Sequence, residues 1–123
     1  MLRSRTILIV EDNAYAALDL AAAVEEYGGI VAGPVATTDE ALAIVAVSPV
    51  SAAIVDADVA NIAMVAQMLE VSGVPLVVQA GSRLKPGIAQ RVDQAAILYR
   101  PVDPRMVVSM LSIAIGKAEQ GKG

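Results

Sequence analysis

Short apolar runs alternate with longer helix-forming segments along this chain. The runs are "TILIV" from Thr6, "IVAGPV" from Ile30, "AAIV" from Ala52, "PLVV" from Pro75 and "AAILY" from Ala95, spaced about two dozen residues apart. Each is short, rich in β-branched residues and free of polar alternation, which is the pattern of strands buried on both faces of a parallel sheet. The intervening segments are therefore predicted to be crossover helices.

The first of these, "NAYAALDLAAAVEEYGG", sets Ala17, Leu20, Val24 and Tyr27 on one stripe and stops at Gly28 and Gly29. The second opens with Thr37 and Glu40 at capping-box spacing and is ended by Pro49. The third starts at Asn61, a candidate cap, and ends at Gly73. The fourth, "RLKPGIAQRV", holds Pro86 and Gly87 and is predicted to be the most mobile. The fifth has Asp103 as cap and Pro104 at its first position, and it is followed by a frayed tail over residues 117–123. Five βα units with right-handed crossovers make an α/β fold, an open doubly wound sheet with helices on both faces. Ligands in such sheets sit outside the carboxyl ends of the strands, at the topological switch point.

The chain has 123 residues, 56% of them hydrophobic, which suits one domain over 1–123 with a core from about residue 5 to 116. It contains no cysteine and no histidine, which removes disulfides, thiolate and zinc sites, and histidine acid–base chemistry. Nine basic and thirteen acidic residues give a net charge of −4, and the basic ones are scattered, an arrangement that argues against nucleic-acid binding. No signal-peptide pattern and no long uncharged apolar stretch is present, so the sequence predicts a cytoplasmic protein without membrane association.

Candidate chemistry gathers at strand ends. Glu11 and Asp12 end the first run, and "AAIVDADVAN" carries Asp56 at the end of the third, with Asp58 just beyond. In the strand order 2-1-3-4-5 those two strands are neighbours, so Glu11, Asp12 and Asp56 should share one crevice. Crowded carboxylates raise one another's pKa unless a cation joins them, and oxygen ligands of this kind suit Mg²⁺.

At these residues the sequence resembles the receiver domain of bacterial two-component response regulators, over about Arg5 to Gly116. "ILIVEDN" is similar to that family's first strand with its acidic pair, and "AAIVDADV" to the strand bearing the phosphoacceptor aspartate. "VPLVVQAG" matches the fourth strand, and "ILYRPVD" the fifth strand with its basic-residue-plus-proline turn. The resemblance implies the flavodoxin-like (CheY-like) (βα)5 form of the doubly wound fold. It further implies that Asp56 accepts a phosphoryl group and that Asp12 binds Mg²⁺ directly. Glu11 would help through water, and the Asp58 backbone carbonyl would complete the protein ligands. The implied donor is a histidine kinase, a phosphotransfer protein or a small acyl phosphate, and the implied output is binding to a downstream protein. Such a domain is a phosphoacceptor rather than a classical enzyme.

Three positions depart from that family. Ala80 stands where Thr or Ser normally bonds the phosphoryl oxygen, and nearby Ser82 occupies a different position. Arg100 stands at the lysine position and replaces a compact ammonium with a planar fork. Ile97 replaces the aromatic switch residue, with Tyr99 next to Arg100 instead. The run "VQAGS" resembles the Phe-Ala-Thr-Gly run of one receiver subclass, with its Thr lost and Gly81 kept. These departures leave open a pseudo-receiver that signals as an interaction or dimerisation module without phosphorylation. A third reading, a haloacid-dehalogenase-like phosphatase, rests on the Asp-x-Asp spacing of Asp56 and Asp58, but that signature normally follows a first strand in a larger domain. On the fifth helix Met106, Val107, Met110, Leu111, Ile113, Ala114 and Ile115 exceed one core stripe, so a partner or a homodimer through that helix is expected. Met64 and Met68 raise the same question on the third.

Overall fold

The computed structural model describes residues 1–81 and 96–121. Five parallel strands form one sheet in the order β2-β1-β3-β4-β5. They are β1 (Thr6–Val10), β2 (Ile30–Val35), β3 (Ala52–Asp56), β4 (Leu76–Ala80) and β5 (Ala96–Tyr99). Four helices lie among the described residues: α1 (Ala14–Glu26), α2 (Thr38–Val47), α3 (Ile62–Val71) and the C-terminal helix α4 (Pro104–Gly121). This is the doubly wound α/β fold that the sequence predicts. The expected helix over "RLKPGIAQRV", and Ser82 with it, lie outside the described residues.

Alternation along the strands divides the core into two halves. Leu8, Val10, Ala53, Val55 and Val78 pack with α2 and α3 on one face. Ile7, Ile9, Ala52, Ile54 and Val77 pack with α1 and α4 on the other. Burial on both faces holds for β1, β3 and β4. It does not hold for β2 and β5, which are only partly buried, because each outer strand has a neighbour on one side alone.

Helix ends follow local chemistry. α1 closes in a Schellman motif, with Gly29 N–H on Val24 O (2.9 Å), Gly28 N–H on Glu25 O (3.0 Å) and Gly28 at φ +88°. α3 closes the same way through Gly73 and Val74. At the start of α2 the Glu40 N–H donates to Thr37 Oγ1 (3.2 Å), and that hydroxyl donates to Glu40 Oε1 (3.0 Å). Thr38 then donates from Oγ1 to Ala60 O (2.7 Å), fixing α2 to the loop that follows β3. Asn61 does not cap α3 through its side chain: its backbone is left-handed at φ 62°, whereas side-chain capping uses an extended backbone.

Both ends of the chain differ from the expected boundaries. Leu2 is fully buried, and its N–H donates to Tyr27 O (2.8 Å), so the core starts before Arg5. α4 runs on through Gly121, and the expected fraying of residues 117–121 gives way to helix. Arg5 forms an ion pair with Glu119 and Ile115 is buried, which ties these last turns to the sheet. Among the described residues no helix is long and apolar enough to cross a membrane.

The Thr37 cap should contribute measurably. Thr37→Ala is expected to lower unfolding free energy by about 1 kcal/mol in a denaturant titration. An unchanged midpoint would show that the observed bonds merely replace equivalent bonds to water.

Candidate functional site

Register brings the acids together. Val10 is paired with Val55, so Glu11, just past β1, and Asp56, the last residue of β3, emerge side by side at the carboxyl edge of the sheet. Oxygens of Glu11, Asp12 and Asp56 lie within 4.8 Å of one another. Glu11 and Asp56 are buried, whereas Asp12 is exposed. The shared crevice read from the sequence is therefore present.

Arg100 enters that crevice from the far side. It follows β5, where its N–H donates to Ala80 O (2.8 Å), and its guanidinium reaches back across the strand ends. One nitrogen, Nη2, lies 3.1 Å from Glu11 Oε1 and 3.1 Å from Asp56 Oδ1. The other, Nη1, is 3.7 Å from Asp58 Oδ2. Backbone donors complete the network: Asp58 N–H binds Asp56 Oδ1 (2.8 Å) and Asn13 N–H binds Glu11 Oε2 (3.1 Å).

These contacts drive the two buried acids apart in acidity. Burial, assisted by the hydrogen bond to Asp56, pushes Glu11 up to about 7, against the pull of the Asn13 N–H and Arg100. Burial also acts to raise Asp56, but the Asp58 N–H, the Glu11 hydrogen bond and Arg100 outweigh it and hold this carboxyl below the usual aspartate value. Asp56 is thus the ionised member of the pair, while Glu11 holds a proton through much of the range below neutrality. Arg100, although desolvated, is held more firmly protonated by Asp56 and Glu11.

The donor set fits a hard divalent cation. All the candidate atoms are carboxylate oxygens, and Asp12 opens the cluster to water.

The remaining predicted residues fall around this centre. Ala80 is fully buried and its methyl joins the core beside α3, so no hydroxyl faces Asp56 from that position. Ile97 packs against the same core, whereas Tyr99 is half exposed. Asp58 contributes its N–H and a loose ion pair. On α4, Val107, Leu111 and Ile115 are core residues, and Met106 and Ile113 are the exposed ones, at 51% each. Met64 and Met68 are also exposed on α3.

Two features escaped the sequence reading. The contacts of Arg100 with three acids needed the β5 end brought towards the ends of β1 and β3; the resemblance marked Arg100 as a site residue at the lysine position but not which acids it meets. Gln79 is a buried amide on the α1 side of β4, at the base of a groove of about 210 Å³ lined by Ala16, Asp19, Leu20, Arg100 and Pro101. A single glutamine in an otherwise apolar strand was its signal.

No family model matches the chain, and no curated protein sequence does. Solved structures do. A response regulator receiver protein from Sinorhizobium medicae superposes with a TM-score of 0.78 at 20% identity, covering 96% of this chain and 99% of that one. A CheY-like response regulator receiver domain from Methanospirillum hungatei gives 0.82 at 19% identity, over 96% and 98%. The signal receiver domain of an HD domain-containing protein from Pseudomonas fluorescens gives 0.82 at 15% identity, over 96% and 99%. The chain therefore has the fold of response-regulator receiver domains.

Stability should record the split acidity in metal-free buffer. Glu11 binds its proton more tightly when folded, so its contribution is full below its ordinary 4.5 and is lost as pH rises through about 7. Asp56 acts oppositely, contributing above its ordinary 3.8 and losing that contribution as pH falls through its lowered value. Glu11→Gln is expected to flatten the fall in melting temperature between roughly pH 5 and 8. Equal slopes in the two proteins would assign the titration to another group.

Proposed function

We propose that this chain is a receiver module of a phosphorelay, a single-domain response regulator that accepts a phosphoryl group on Asp56 and signals through protein–protein contact. The observation that carries this reading is the placement of Asp56 at the end of β3, beside the acidic pair Glu11 and Asp12 and 3.1 Å from the Arg100 guanidinium. Phosphoryl transfer needs positioning and charge neutralisation more than covalent chemistry, and those are what the crevice offers.

In this reading an Asp56 carboxylate oxygen attacks phosphorus, an acyl phosphate forms, and the bond from phosphorus to the donor breaks. Asp58 N–H fixes Oδ1 and so orients the carboxylate, and Arg100 Nη2 holds the same oxygen while no metal is bound. Glu11, Asp12, Asp56 and the Asp58 backbone carbonyl would hold Mg²⁺, which when bound supplies charge neutralisation to the transferring group. The donor is a histidine kinase or phosphotransfer protein, and the setting is cytoplasmic. The output surface includes Met106 and Ile113 of α4, either for a downstream protein or for a second copy of the chain.

The second reading, a pseudo-receiver that acts as a phosphorylation-independent interaction or dimerisation module, is favoured by Ala80. Without a hydroxyl there, and with Arg100 already joined to three acids, one contact that would distinguish a phosphorylated state is absent.

Incubation with acetyl phosphate and Mg²⁺ is expected to add one phosphoryl mass to the intact protein and none to Asp56→Asn. Absence of the adduct, also with candidate kinases, would select the pseudo-receiver.

Coupling should be weak in the natural sequence. A charge-assisted hydrogen bond is worth about 1.5–3 kcal/mol, and an equilibrium moves only by the differential contacts its ligand makes. Amide exchange in β4 is therefore expected to change less on phosphorylation than in Ala80→Thr. A response in the natural protein as large as in the variant would show that the hydroxyl is dispensable.

A further inference from the structure

Two cations have claims on the same oxygens. Arg100 Nη2 sits 3.1 Å from both Glu11 Oε1 and Asp56 Oδ1, and those two residues are also two of the three carboxylates that could hold a divalent ion. Magnesium bonds oxygen at about 2.0–2.1 Å and retains several waters, so an ion on these carboxylates would stand within a few ångströms of Nη2. Like charges at that separation, partly desolvated, repel strongly.

The guanidinium has somewhere to go. Its side chain is 32% exposed, and it lines the groove of about 210 Å³ that carries Asp19 on its wall. Asp58, with a 55% exposed side chain, is already 3.7 Å from Nη1 on the opposite flank.

We propose that Arg100 is a built-in competitor for the divalent cation: the ion enters only as the guanidinium leaves Glu11 and Asp56, so Arg100 sets the cation affinity of the site. This rests on the cation-binding part of the proposed function and extends it to a residue that is not a ligand. Arg100 acts here as a positioning residue, holding the carboxylates together when no metal is bound. Because the two occupancies exclude each other, the coupling is reciprocal, and weakening one strengthens the other.

The test is Mn²⁺ binding to the full chain by calorimetry or electron paramagnetic resonance at fixed ionic strength, with no phosphodonor present. Arg100→Met is expected to bind Mn²⁺ about tenfold more tightly than the natural protein or better, within the range of ordinary coupling. Asp12→Ala should bind more weakly than the natural protein. Equal or weaker binding by Arg100→Met, with the natural protein binding normally, overturns the competition and leaves the metal site standing. No binding by either protein overturns the metal site and the competition together. If Arg100→Met fails to fold, the Arg100 guanidinium resonances of the natural protein decide the matter. They should move on saturation with diamagnetic Mg²⁺, and resonances that stay in place would overturn the proposal.

Discussion

Two carboxylates buried side by side need a cation, and in this molecule the cation is covalently part of the chain. Glu11 and Asp56 end adjacent parallel strands, and Arg100 Nη2 stands 3.1 Å from an oxygen of each. Without it the β1 and β3 ends would carry uncompensated charge in a desolvated crevice, a strongly destabilising arrangement. The same guanidinium therefore links the end of β5 to the ends of β1 and β3. Site electrostatics and the closure of the sheet's carboxyl edge are one interaction.

That interaction also divides labour between the acids. Asp56 receives a backbone N–H and the guanidinium on one oxygen and stays ionised, whereas Glu11, equally buried, is driven up to about 7 by that burial and by its hydrogen bond to Asp56. Carboxyl groups whose environments push their acidities apart are common at functional sites. Their adjacency here arises from register, since Val10 opposite Val55 sets the residues that follow side by side. Ala80 adds a different constraint: its methyl is part of the core on the α3 side and offers the crevice no polar group.

Apolar surface is distributed by the same geometry. On α4 the residues Val107, Val108, Leu111 and Ile115 face the sheet, which leaves Met106 and Ile113 outward. An excess of apolar residues on one helix thus separates into a core stripe and a smaller exposed set.

Much of the fold was legible in the residues. Runs such as "AAIV" fitted buried strands, Gly28 and Gly73 marked helix ends, and Thr37 with Glu40 marked the start of α2. These features depend on neighbours within a few positions, and local chemistry fixes them. The placement of Glu11, Asp12 and Asp56 in one crevice was also accessible, because a parallel sheet of known order leaves strand ends no freedom. Other properties depended on partners far along the chain. The left-handed backbone at Asn61 turned an apparent cap into a plain turn residue, and the burial of Leu2 and the length of α4 were settled by contacts with Tyr27 and Arg5. The sequence by itself determined which acids meet. Tertiary structure decided which cation they meet first, because the reach of Arg100 from β5 to Glu11, 89 positions earlier, exists only once the sheet is assembled.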